Sequence, residues 1–105
     1  MAQFTVYQNK NAATKKTVPF LLDIQSDLLQ DLKTTVVIPL YSFESSQHML
    51  LTKLTPVLTI DNKDYLALTT QLAGISRKEL GKPVAILDSY RIAIIDAIDF
   101  MLAGV

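Results

Sequence analysis

The sequence predicts a mainly β, α+β domain in which an antiparallel sheet of five or more strands is followed by one C-terminal helix. Three observations carry that expectation. Five runs of five to eight residues alternate apolar and polar positions, the period of a half-buried strand. One stretch, from Leu87 to Met101, instead repeats its apolar residues at the helical spacing. The chain has 105 residues, half of them hydrophobic, which suffices for one core and not for two, so residues 1–105 are read as a single domain.

The first run is Gln3 to Tyr7, with Phe4 and Val6 on one face. Gln8 to Thr17 follows as a polar stretch rich in Asn, Thr and Lys, and reads as a mobile basic loop. Val18 to Gln25 places Phe20, Leu22 and Ile24 on one face, and Thr34 to Tyr41 does the same with Val36, Ile38 and Leu40. Pro39 cannot donate to a ladder and is expected on an edge or at a bulge. Between these strands Leu28 and Leu29 sit in a polar setting, and one of them is expected to face outward. Residues 42–53 read as a loop or a short helical turn. Thr55 to Ile60 and Tyr65 to Leu72 are strands joined by Asp61-Asn62-Lys63-Asp64, the composition of a hairpin turn. Ser76 to Glu79 has capping-box spacing, but Gly81 and Pro83 leave room for a turn or two of helix at most. Asp88 or Ser89 is expected to cap the last helix, whose buried stripe is Leu87, Tyr90, Ile94, Ala97, Ile98 and Met101, and Gly104 stands where a helix ends.

That helix carries more apolar residues than its stripe uses. At 100° per residue Ile92, Ile95, Leu102 and Ala103 fall on the other side, among Asp88, Arg91, Asp96 and Asp99. Either a neighbouring loop of the chain covers them or a partner does, and partner contact is the preferred reading. Asp96, Asp99 and the carboxylate of Val105 lie toward the negative end of the helix dipole, where each is unfavourable by about 0.3–1 kcal/mol, so the end is suited to a cationic partner.

Ten Lys and Arg balance ten Asp and Glu, which argues against direct binding of nucleic acid through its phosphates. The absence of cysteine removes disulfides, thiolate metal sites and Cys nucleophiles, and suits a reducing compartment. No signal-peptide pattern and no apolar run of membrane-spanning length is present, so a cytoplasmic location with no membrane partner is expected. His48 stands alone, Asp61 and Asp64 are explained by a turn, Ser26-Asp27 reads as a strand-end cap, and no glycine-rich phosphate loop exists. No metal, cofactor or catalytic set is assigned, and an enzyme would need Arg, Thr and Glu gathered from different strands. With only Arg77 and Arg91 available, stabilising a phosphoryl transition state would fall mostly to lysines.

Gln3-Phe4-Thr5-Val6-Tyr7, Asp23-Ile24-Gln25-Ser26-Asp27-Leu28-Leu29, Val36-Val37-Ile38-Pro39-Leu40, Leu54-Thr55-Pro56-Val57, Leu68-Thr69-Thr70 and the terminal Met101-Leu102-Ala103-Gly104-Val105 together resemble the CcdB family of bacterial toxins, end to end. The resemblance implies an SH3-like barrel of the type shared by CcdB, MazF and Kid, with a C-terminal helix, built as a homodimer. It implies a non-enzymatic poison that binds the A subunit of DNA gyrase and traps the gyrase–DNA cleavage complex, within a module that serves plasmid maintenance. A CcdA-like antitoxin would neutralise it, and the pair would bind operator DNA.

Carried over by position, the gyrase-facing residues are Leu28, Leu29, Arg91, Ile92, Ile95, Asp96, Asp99, Leu102, Ala103, Gly104 and Val105. The antitoxin-facing ones are Gln8, Lys10, Lys15 and Lys16. Ala103 stands where many members carry tryptophan, which removes an aromatic able to stack on arginine or fill a pocket. Two alternatives share the fold or the module: a MazF-like endoribonuclease, and a non-toxic decoy for antitoxin.

Overall fold

The computed structural model describes residues 3–104. Seven antiparallel strands form one curled sheet, a half-barrel: β1 (Thr5–Asn9), β2 (Phe20–Asp23), β3 (Thr34–Ser42), β4 (Val57–Ile60), β5 (Lys63–Ala67), β6 (Ala73–Ser76) and β7 (Leu80–Ile86). A one-turn helix α1 (Phe43–Ser46) follows β3, and α2 (Arg91–Ala103) closes the chain. The order is β4-β5-β3-β2-β1-β7, with β6 pairing the first half of β3 beside β5.

The alternation read from sequence sets the faces. Phe4, Val6, Leu22, Ile38 and Leu40 line the face covered by α2, where Leu87 and Ile94 meet them and Leu58 and Ile60 complete the core. The opposite face is also partly covered: Val18, Leu21 and Val37 form a second cluster with Tyr41, Ile75 and Leu80. Leu21 and Leu22 are therefore both buried, as a strand with two covered faces requires.

Several expectations are corrected. The first strand begins at Thr5, because Phe4 lies at φ 63°, a left-handed conformation costing about 1–3 kcal/mol in a non-glycine residue. Full burial of its ring offsets that cost, as do its backbone bonds to Asp23 O (2.6 Å) and from Leu87 N (2.7 Å). Pro39 is in a central strand rather than at an edge or bulge. Its carbonyl accepts from Leu68 N at 3.1 Å, so its missing donor points into the gap where β3 changes neighbour from β5 to β6. The proline that does sit in an edge strand, beside register shifts, is Pro83 of β7. Neither β6 nor β7 was expected. The hairpin turn is two residues, Asp61 and Asn62, both at positive φ, with Lys63 and Asp64 already in β5. Neither Asp88 nor Ser89 caps α2; Asp88–Tyr90 is a 3₁₀ turn that runs into it. Gly104 ends the helix at φ 73°, its N–H donating to Phe100 O at 2.8 Å.

Candidate partner-binding surface

The loop after β2 is built by the Gln-Ser-Asp block. Ser26 Oγ accepts from Leu28 N at 3.1 Å and starts a 3₁₀ turn, Asp27–Leu29. Asp27 Oδ1 accepts from Gln3 N at 2.9 Å, and Gln25 Nε2 donates to Thr34 O at 3.2 Å. With these polar side chains bonded to the turn, to Gln3 and to Thr34, both leucines lie outside: Leu28 is 93% exposed and Leu29 47%. Leu32 is exposed beside them.

Gln3 and Phe4 join this loop to the start of α2. The Gln3 backbone binds Asp27, while the Phe4 ring lies beneath the Arg91 guanidinium, 5.3 Å from its centroid. Arg91 and Ile92 are exposed here, Ile92 at 76%. Leu102, Ala103 and Gly104 are exposed at the other end, roughly 16 Å farther along the axis at 1.5 Å per residue. Apart from Ile95, Asp96 and Asp99, the described residues carried over from sequence thus fall into two groups within one chain. Val105 lies outside the described residues.

Ile95 is a correction. It was expected to face outward, yet it is half-buried and packs on the core, because the covered arc of α2 extends past Ile94 and Ile98 to its side. Leu102, on the same side of the helix two turns later, is 76% exposed because the helix overhangs the core there.

Asp96 and Asp99 line a cleft of about 510 Å³ between α2 and residues 52–56, floored by Pro56, Ala93, Ala97 and Phe100. Lys53 Nζ stands 5.3 Å above the Phe100 ring at its rim. Neither aspartate is ion-paired or hydrogen-bonded among the described residues.

The basic segment is a loop, as expected, and it is braced by its own hydrogen bonds. Buried Asn9 donates to Val18 O (2.9 Å) and Thr14 Oγ1 (3.0 Å) and accepts from Asn11 N (3.0 Å), which closes residues 9–18 into consecutive turns. Gln8 belongs to β1 and shares a cleft of about 430 Å³ with Lys10, Lys15, Pro19 and Phe20. Lys16 is exposed in the same segment.

A polar cluster that the sequence reading did not single out lies on the sheet face away from α2. Asp23 is 1% exposed; its Oδ1 accepts from Thr35 Oγ1 (2.8 Å) and Gln25 N (3.1 Å). Its Oδ2 has no hydrogen bond and lies 3.8 Å from Arg77 Nη1. Burial pushes the Asp23 carboxyl above its ordinary value, while Thr35, Gln25 and Arg77 pull it down. Burial and the nearby Asp23 charge push the Tyr7 hydroxyl up as well. The one sequence signal for this cluster is a charged residue inside an apolar strand, Leu21-Leu22-Asp23. A carboxylate so sealed has no path to a substrate proton as it stands.

His48 is exposed in a separate 3₁₀ turn, Gln47–Met49. Asp64 Oδ1 is taken up by Thr59 Oγ1 at 2.7 Å. Among the described residues no three metal-binding side chains come together, and no helix is long and apolar enough to cross a membrane.

The fold is similar to that of an endoribonuclease from a Mycobacterial species solved in complex with its cognate antitoxin. The TM-score is 0.75 at 11% identity, covering 97% of this chain and 94% of that one. A second endoribonuclease from a Mycobacterial species matches with TM-score 0.75 at 12% identity over 97% and 90% of the two chains. The Mycobacterium tuberculosis toxin MazF-mt6 matches with TM-score 0.72 at 12% identity over 93% and 95%. At these identities the likeness concerns the fold. By sequence, the model of the family described as CcdB protein matches residues 3–104.

Proposed function

The chain belongs to the CcdB family, and from that premise we propose that this toxin of a toxin–antitoxin module binds the A subunit of DNA gyrase and holds the gyrase–DNA cleavage complex. The observation that carries the reading is the Gln25-Ser26-Asp27 block, whose side chains are all spent on holding a turn while Leu28 and Leu29 are left to solvent. Two adjacent leucines outside a fold with this much apolar surface elsewhere mark a contact for another protein.

Arg91 and Ile92 extend that surface across Gln3 and Phe4, and Leu102 to Gly104 form a second patch at the end of α2. In a homodimer with twofold symmetry the patches of two copies would combine into one contact. A CcdA-like antitoxin would engage the cleft that holds Lys10 and Lys15, whose charge suits an acidic segment. Both partners place the protein in the cytoplasm. The poison acts by binding, with no catalytic step of its own.

The deciding experiment incubates the protein with gyrase and supercoiled plasmid, and in parallel with mRNA alone. Linear DNA that accumulates only when both gyrase and toxin are present supports poisoning. RNA cleavage without gyrase would support the second reading, a MazF-like endoribonuclease, a class whose fold this chain resembles. Antitoxin binding with neither activity would leave the decoy role.

A further inference from the structure

We propose that Arg77 is the positioning residue for the Leu28–Leu29 surface: its side chain fastens the far half of the loop between β2 and β3 and keeps both leucines outward. The inference rests on the reading that this loop meets gyrase.

The near half of the loop is held by Gln25, Ser26 and Asp27. The far half, Leu29 to Lys33, buries no residue, and its leucines would gain by folding back onto the protein. Arg77 comes from the corner between β6 and β7 and closes this half. Its Nε donates to Leu32 O at 2.7 Å, its Nη2 to Leu29 O at 3.3 Å, and its backbone N–H to Lys33 O at 3.0 Å. These contacts span 45 and 48 residues for the two side-chain bonds, so no local turn propensity can replace them.

The guanidinium is itself aimed by Asp23, whose buried Oδ2 faces Nη1 at 3.8 Å and whose Oδ1 is fixed by Thr35 and Gln25. Two carbonyls and a carboxylate around one planar fork is a geometry that arginine satisfies and a single ammonium does not. A loop held this way loses little freedom when a partner covers it, so the clamp contributes to affinity without touching the partner.

The test compares Arg77→Met, Arg77→Lys and the double variant Asp23→Asn/Arg77→Met with wild type. It reads amide exchange at Leu29, Gln30 and Leu32 and affinity for the gyrase A subunit. Arg77→Met is expected to speed exchange at these amides and weaken gyrase binding, each by about tenfold. The double variant removes the carboxylate left alone and should recover thermal stability, with exchange and affinity still impaired. Arg77→Lys keeps the charge beside Asp23 and should behave like the double variant. Wild-type exchange rates in Arg77→Met, or a double variant that regains affinity together with stability, would overturn the proposal. If wild type itself does not bind gyrase, the reading of the partner fails, and the exchange rates alone decide whether Arg77 holds the loop.

Discussion

Leu28→Glu separates a partner surface from a core position by two measurements with opposite expected outcomes. At 93% exposure the side chain has almost nothing to lose in the free protein, so the cost to folding should stay within about 0.5 kcal/mol. If gyrase covers it, the same change forfeits about 1.5–3 kcal/mol of leucine burial. It also places a carboxylate without a partner in the interface, for about 1–3 kcal/mol more. The sum of about 2.5–6 kcal/mol corresponds to roughly two to four powers of ten in Kd. Calorimetric titration of the gyrase A subunit measures the second effect, thermal melting the first, and sedimentation checks that self-association is unchanged. A Kd within about twofold of wild type would refute the assignment of this loop to the contact. A fall in Tm beyond about 5 °C would instead show that Leu28 packs within the protein or in a self-association contact.

Ile94 is the contrasting case on α2: fully buried, it should lose about 2–5 kcal/mol on Ile94→Ala, visible as an earlier midpoint in urea. Ile92→Glu, on the side of the helix opposite Ile94, should leave that midpoint in place. Asp23 gives a pH signature, since its folded carboxyl holds a proton more tightly than the ordinary value of 3.8 allows. Its contribution to stability is largest below that value and is lost as pH rises through the raised one. The Tm of Asp23→Asn minus that of wild type should therefore grow from about pH 3 upward and then level, whereas a difference that shrinks with pH would contradict the burial argument. Lys10→Glu with Lys15→Glu should weaken antitoxin binding and reduce its salt dependence while gyrase binding stays at the wild-type level.

What the sequence made legible follows from what each element depends on. Strands β1 to β4 have one face on the main core, so alternation marks them, and the helical stripe of α2 is read the same way; the run Tyr65 to Leu72 marks β5 only as far as Ala67, beyond which Thr69–Gln71 is a 3₁₀ turn. Strand β7 is an edge strand with Gly81, Lys82 and Pro83, and it pairs through register shifts with β1, so no alternation survives to announce it. Gly81 is there because a Cβ would come within 2.9 Å of Gln8 O, a close approach visible only once the strands are paired. Strand β6 is short, with Ala73 and Gly74 exposed. The outward face of α2 was legible except for Ile95, where helix geometry gives the angle of a side chain but not how wide an arc the core covers. The Arg77–Asp23 contact joins residues 54 apart through folded geometry alone, and the local pattern around Arg77 suggested only a cap. Ser76 does make that cap, to Lys78 N at 3.2 Å.

The disposition of the two arginines bears on how one fold serves both a gyrase poison and an endoribonuclease. Phosphoryl transfer calls for cations aimed at developing charge in an accessible site. In this chain the Arg77 fork is spent on two backbone carbonyls and a buried carboxylate, and Arg91 lies over the ring of Phe4. To serve an RNA-cleaving site the exposed Arg91 would only have to leave the Phe4 ring, whereas a site that used Arg77 would have to break the contacts that hold the Leu28–Leu29 loop. Those same contacts are what a protein-binding surface needs, because they keep apolar side chains outward in a chain of zero net charge, where no long-range attraction substitutes for a preformed contact. The Arg77 contacts that withhold this guanidinium from an RNA-cleaving site are thus the ones that would hold the leucines out for a partner.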